Sequence, residues 1–174
     1  KNSTGRHVEV TTEELVPGSH VIPRVVAPRP EKNDEYMEGV RHGFIYGGGT
    51  LVSKNTSKAI FCGDKDKALF DYFEGHGRAR RTYKNDVWHQ SGFPACYKLL
   101  PSVDRSASYW YGFLSGFLAA DGSVDTHGCA LLTQKDPEVL EAIAAQLPRI
   151  GMVASVVRGQ RRKEFMKPVA ASLT

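Results

Sequence analysis

Asp121 is the residue whose setting most suggests chemistry. It closes the apolar run YWYGFLSGFLAA, Tyr109 to Ala120, and Gly122 follows it at once. That run reads as a helix, so the carboxylate falls at the helix C-terminus, where the dipole disfavours negative charge by a few tenths to about 1 kcal/mol unless a cation lies close by. Two basic clusters form the other concentration of reactive side chains. Arg78, Arg80, Arg81 and Lys84 fall within seven residues, and Arg158, Arg161, Arg162, Lys163 and Lys167 within ten, each segment carrying net +4. The whole chain is also +4, so the remainder is net acidic and the positive charge is local. Local positive charge suits a polyanion, because each neutralised phosphate releases condensed counterions.

An internal repeat positions these groups. EGVRHGFIYGGGTLV aligns with the Asp121 segment at an offset of 73, pairing Gly39 with Gly112, Gly43 with Gly116, Gly47 with Ala120 and Gly49 with Gly122. Ala59–Phe73 then matches Ala130–Ala144 at an offset of 71. Each copy reads as helix, strands, helix, and then a strand-like basic segment, with the basic clusters at equivalent places. Strands are expected at Thr50–Val52, Lys58–Cys62 and Cys129–Thr133. Asp136 and Pro137 read as N-cap and first turn of a helix bearing Val139, Leu140, Ile143 and Leu147, and Asp66 as the matching start in copy one.

Glycine inside a helix costs about 1 kcal/mol relative to alanine unless packing returns it. Small residues every fourth position share one face and let two backbones approach closely. One such stripe in each copy implies that the two helices pack on each other about a pseudo-twofold axis. Their ends would then converge, and a pair of acids there could hold a divalent metal between two basic β surfaces. That is chemistry for cutting a phosphodiester.

On these residues the chain resembles the LAGLIDADG homing endonucleases: GFLSGFLAADG is similar to their signature and HGFIYGGG to an altered second copy. The resemblance covers about Glu38 to Lys167. It implies an α+β fold of two duplicated αββαββ lobes with saddle-shaped antiparallel sheets along duplex DNA, acting as a monomer with internal pseudo-symmetry. It implies site-specific endonuclease activity with Mg²⁺, or another divalent ion such as Mn²⁺ or Ca²⁺. The metal-binding acid maps to Asp121, with Gly122 and Gly49 at the turns beside the two metal positions. The matching position in copy one is Gly48, which supplies no carboxylate, so double-strand cleavage is expected to be weak or absent. The family's lysine near the scissile phosphate maps to Lys98, with Lys167 as its second-lobe counterpart. Arg78, Arg80, Arg81, Lys84, Arg158, Arg161, Arg162 and Lys163 are the expected DNA contacts. The alternative on the same fold is a non-catalytic sequence-specific DNA-binding protein or an RNA-splicing maturase, which Gly48 favours.

The expected organisation is an N-terminal segment 1–37, a first lobe 38–104 and a second lobe 105–174, the latter short of a last helix. TTEELVPGSHVIPRVV resembles a strand-turn of intein splicing domains, with Pro17-Gly18 as the turn, and Pro23 to Asp34 reads as a linker. Residue 1 is Lys1 where splicing needs Cys or Ser, and AASLT stands where it needs a terminal His-Asn, so splicing by this chain alone is not expected. Cys62, Cys96 and Cys129 show no CxxC spacing and are read as reduced core fillers of an intracellular protein. The longest uncharged apolar run is 12 residues, against roughly 20 for a membrane span.

Overall fold

Two fifteen-residue helices form the centre of the molecule, and their caps explain where they begin and end. In α1 (Asp34–Gly48) the Asn33 side chain accepts from the Tyr36 amide at 3.1 Å, with Asp34 and Glu35 in the first turn, where the dipole favours acids. In α3 (Ala107–Asp121) Ser106 caps the Tyr109 amide at the same distance. Both end on a glycine whose N–H reaches back to a helix carbonyl at 2.8 Å, Gly49 to Ile45 and Gly122 to Leu118. α1 starts on the last residue of the segment read as a linker. The computed structural model describes residues 13, 27–83, 85–152, 154–157 and 169–173. The Pro17-Gly18 turn and the basic residues Lys84, Arg158, Arg161, Arg162, Lys163 and Lys167 lie outside the described residues.

After α1 the chain forms β1 (Thr50–Ser53), β2 (Thr56–Cys62), α2 (Phe70–Phe73), β3 (Arg81–Tyr83) and β4 (Val87–Pro94). After α3 come β5 (Ser123–Val124), β6 (Ala130–Gln134), α4 (Pro137–Gln146), β7 (Ala154–Val157) and β8 (Val169–Leu173). Each set of strands is one antiparallel sheet, ordered β1-β2-β4-β3 and β5-β6-β8-β7. The two orders are the same when matched strand for strand, so αββαββ occurs twice. One apolar core lies under each sheet: Phe44, Ile45, Phe61, Phe73 and Phe93 in the first lobe, and Phe113, Phe117, Leu132, Leu140 and Ile143 in the second. Among the described residues no helix is long and apolar enough to cross a membrane.

The glycine stripe is the seam between the lobes. A Cβ placed on Gly39 or Gly43 would stand 2.2 Å from the Tyr109 carbonyl oxygen or 1.9 Å from that of Phe113. On Gly112 or Gly116 it would stand 2.0 Å from the Tyr36 oxygen or 2.1 Å from that of Val40. The order of these contacts makes α1 and α3 parallel, so both C-termini lie at the same end of the seam.

Three sequence expectations are corrected. Cys62 and Cys96 are exposed and Cys129 is half-buried, so none fills a core, although all three are free thiols. Asp66 caps no helix: it is buried within a 3₁₀ turn (Asp64–Leu69) and its carboxylate accepts from the Cys62 amide at 2.6 Å, tying that turn to the end of β2. α2 is accordingly reduced to four residues. Asp136 does cap α4, accepting from the Glu138 amide at 3.0 Å ahead of Pro137, and Leu140 and Ile143 are buried.

Candidate nucleic-acid interface

The convergent helix ends carry unequal chemistry. Asp121 is the last residue of α3 and is exposed. Its Oδ2 lies 3.3 Å from where a Cβ on Gly47 would stand, so the carboxylate leans across the last turn of α1. Gly48 is the last residue of α1, as the repeat predicts. A Cβ there would find its nearest neighbours at 3.6 Å, the Ala120 Cβ, and 3.9 Å, the Ile60 carbonyl. Those are ordinary contacts, so packing does not impose the glycine at 48.

Lys98 reaches the same corner from the 3₁₀ turn Ala95–Lys98 that follows β4. Its ammonium donates to the Ile45 carbonyl at 3.1 Å and to the Tyr46 carbonyl, and it lies 5.8 Å from the Tyr46 ring centroid. Burial lowers the Lys98 pKa, and the negative charge of Asp121 works in the opposite direction. Tyr46 packs edge-on against Phe117, and its pKa is raised by burial first and by Asp136 second. Lys167, the proposed counterpart of Lys98, lies outside the described residues.

The two helix ends differ in how well they suit a divalent cation. Magnesium is commonly held by one or two carboxylates together with water and substrate phosphate. Asp121, exposed at its helix end, fits that donor set. The end of α1 does not fit: Gly48 offers no carboxylate, and the carbonyls of Ile45 and Tyr46 already accept from an ammonium. Among the described residues no group of three or more His, Cys, Asp or Glu side chains is placed to hold a metal ion.

The sheet of the first lobe supplies a basic outer face. Strand β2 buries Ser57, Ala59 and Phe61 and turns Lys58 and Ile60 away from the core. Across the sheet Ile60 pairs with His89 and His89 with Arg81. The Lys58 ammonium lies 3.3 Å from His89 Nδ1, and the His89 and Tyr83 rings are 4.1 Å apart. Burial, reinforced by Lys58, lowers the His89 pKa. Arg78 and Arg81 are exposed. Arg80 is turned the other way: its guanidinium lies 3.6 Å from the Phe70 ring centroid and donates to the Phe70 carbonyl at 3.2 Å and to Gln90 Oε1 at 3.3 Å. The cluster read as four equivalent cations thus divides: Arg78 and Arg81 stay exposed, while Arg80 is held on Phe70 and Gln90. Lys58 and His89 escaped the sequence reading, though the two-residue alternation of Ser57, Ala59 and Phe61 marks Lys58 as outward.

The fold and this corner together define a two-lobed α+β protein whose parallel helices meet on glycine and end beside the first strand of each sheet. Residues 110–170 match the family model described as a LAGLIDADG-like domain. Among solved structures the chain is similar to the N-terminal LAGLIDADG domain of DUF199/WhiA, with 13% identity, 86% of this chain and 79% of that one covered, and a TM-score of 0.54. Full-length DUF199/WhiA from Thermatoga maritima aligns at 14% identity over 86% of this chain and 53% of that one, with a TM-score of 0.54. The homing endonuclease I-DmoI in complex with DNA and Ca aligns at 12% identity over 80% and 83%, with a TM-score of 0.52. No curated protein sequence matches the chain. Residues 110–170 are thus similar to a LAGLIDADG-like domain, and the chain as a whole has the fold of these LAGLIDADG structures.

Proposed function

We propose that this chain recognises a specific site in duplex DNA and hydrolyses one strand of it, with Asp121 as its single catalytic acid. The observation that carries this reading is the asymmetry of the seam: two equivalent helices end together, one in an exposed carboxylate and the other in Gly48 beside the Lys98 ammonium. The DNA complex of I-DmoI supports the partner. A divalent metal bound at Asp121 would supply Lewis-acid activation of the phosphate and a more acidic water. The protein's own part is to set that carboxylate at a fixed depth on the seam and to hold the duplex. Lys58, Arg78, Arg81, Tyr83 and His89 are the first-lobe contacts of this reading, with Lys84, Arg158, Arg161, Arg162 and Lys163 as further cations. The protein acts as an intracellular monomer with two internal half-sites.

A plasmid carrying a duplex selected from a random library by binding tests this directly. With Mg²⁺ the wild-type protein is expected to convert supercoiled plasmid to the relaxed form without a linear product. Asp121→Asn is expected to slow relaxation by at least about a hundredfold, a few kcal/mol of barrier, while leaving binding of the duplex intact. Linear product appearing as fast as relaxed product, or nicking that survives Asp121→Asn, would sink the reading.

A further inference from the structure

Parallel helices bring like dipole ends together. At the end of this seam stand the terminal carbonyls of α1 and α3 and the Asp121 carboxylate, all electronegative, and the described residues bring one ammonium to them, that of Lys98. A helix C-terminus behaves as about half a negative charge, so the corner needs a cation whether or not DNA is bound. In a symmetric pair of acids, metal could meet that need at both ends. Here the α1 end has no acid, and the lysine occupies its carbonyls.

The geometry points to Lys98 as a tethered cation that replaces a divalent ion on the α1 side, a positioning residue that holds the seam closed around Asp121 without metal. This rests on reading the corner as the catalytic one. It has three consequences. Asp121 is then a single carboxylate that holds a divalent cation only together with a substrate phosphate, so the protein free of DNA gains no stability from such ions. The second metal position is blocked by an ammonium as well as by a missing acid, so Gly48→Asp alone does not create it: the new carboxylate has room, but it pairs with Lys98. And Lys98 is committed to backbone carbonyls, so the phosphate role expected of it from the sequence is not its resting task.

Thermal unfolding without DNA, in EDTA and in Ca²⁺, tests this in the wild type, Lys98→Met, Lys98→Gln, Gly48→Asp and the double variant Gly48→Asp with Lys98→Met. The wild-type midpoint is expected to be the same in both media, and Gly48→Asp likewise. Lys98→Met is expected to lose several degrees in EDTA, on the scale for a chain of this size, and the double variant to recover them in Ca²⁺. Lys98→Gln keeps an N–H donor without charge and is expected to behave like Lys98→Met; full rescue by glutamine would reduce the role to hydrogen bonding and overturn the proposal. A wild-type midpoint raised by Ca²⁺ would overturn it too, and needs no variant to fold. Because DNA is absent, failure here is distinct from failure of the nicking assay.

Discussion

Gly43→Ala is expected to destabilise the protein by more than about 4 kcal/mol, enough to threaten a fold whose total stability is of order 5–15 kcal/mol. The added methyl would stand 1.9 Å from the Phe113 carbonyl oxygen and 2.8 Å from the Phe117 amide nitrogen. Both are main-chain atoms of a helix and cannot rotate away, so α1 and α3 must separate by more than an ångström along the whole seam. Separation also opens the Gly39, Gly112 and Gly116 contacts, where each glycine receives a carbonyl of the opposite helix. The loss is therefore cooperative, and interiors packed to crystal density do not absorb it. Gly48→Ala is the internal control. Its methyl meets ordinary contacts and alanine is the better helix former, so its effect is expected within about 1 kcal/mol of zero and on the stabilising side. Urea unfolding of both variants checks the contrast, and a Gly43→Ala protein within about 1 kcal/mol of wild type would refute the account of the seam.

The features legible in the sequence were those with a period. Two copies of a four-residue glycine spacing, repeated 73 positions apart, gave the seam, the parallel helices and the equivalence of Gly48 with Asp121. The cap of α4 was legible because Asp136 and Pro137 act locally. Asp66 misled because a carboxylate three residues before an apolar run satisfies any nearby amide, and here tertiary structure offered it the Cys62 N–H. Arg80 misled for a related reason. Charge marks a residue as wet only on average, and this guanidinium has an aromatic ring beneath it and two acceptors within reach. The seat of Lys98 was beyond any sequence pattern, since it depends on carbonyls of Ile45 and Tyr46, more than fifty residues away in a different element. Main-chain acceptors carry no residue identity that a motif could record.

Acid should loosen the same seam through His42. This histidine sits in α1 with 4% of its surface exposed, its ring stacked at 4.5 Å on Tyr97 and edge-on to Phe113. The Leu99 carbonyl, 2.9 Å from Nε2, can only accept, so Nε2 carries the proton and Nδ1 accepts from the Tyr109 hydroxyl at 2.7 Å. The neutral ring thereby joins both central helices to the connection between the lobes. Burial lowers its pKa from the ordinary 6.5 to about 4; the Leu99 carbonyl opposes the shift, and nearby Arg105 adds to it. A depressed histidine pKa means that the unfolded chain takes up the proton first. The stability contributed is fully present above pH 6.5 and drains as pH falls towards 4. At 1.36 kcal/mol per unit, that interval is worth roughly 3 kcal/mol. His89, whose pKa is also lowered, contributes in the same direction, so a single acid titration does not isolate the seam. The difference between wild type and His42→Phe does. At neutral pH the variant is expected to be less stable by about 1–3 kcal/mol, because the buried Tyr109 hydroxyl and the part-buried Leu99 carbonyl lose their partner. As the pH drops, phenylalanine cannot titrate and only the wild type pays the protonation cost, so the two unfolding free energies converge by about pH 4.5. Curves that stay parallel from neutral pH down to that point would show that His42 does not carry the acid sensitivity of the seam.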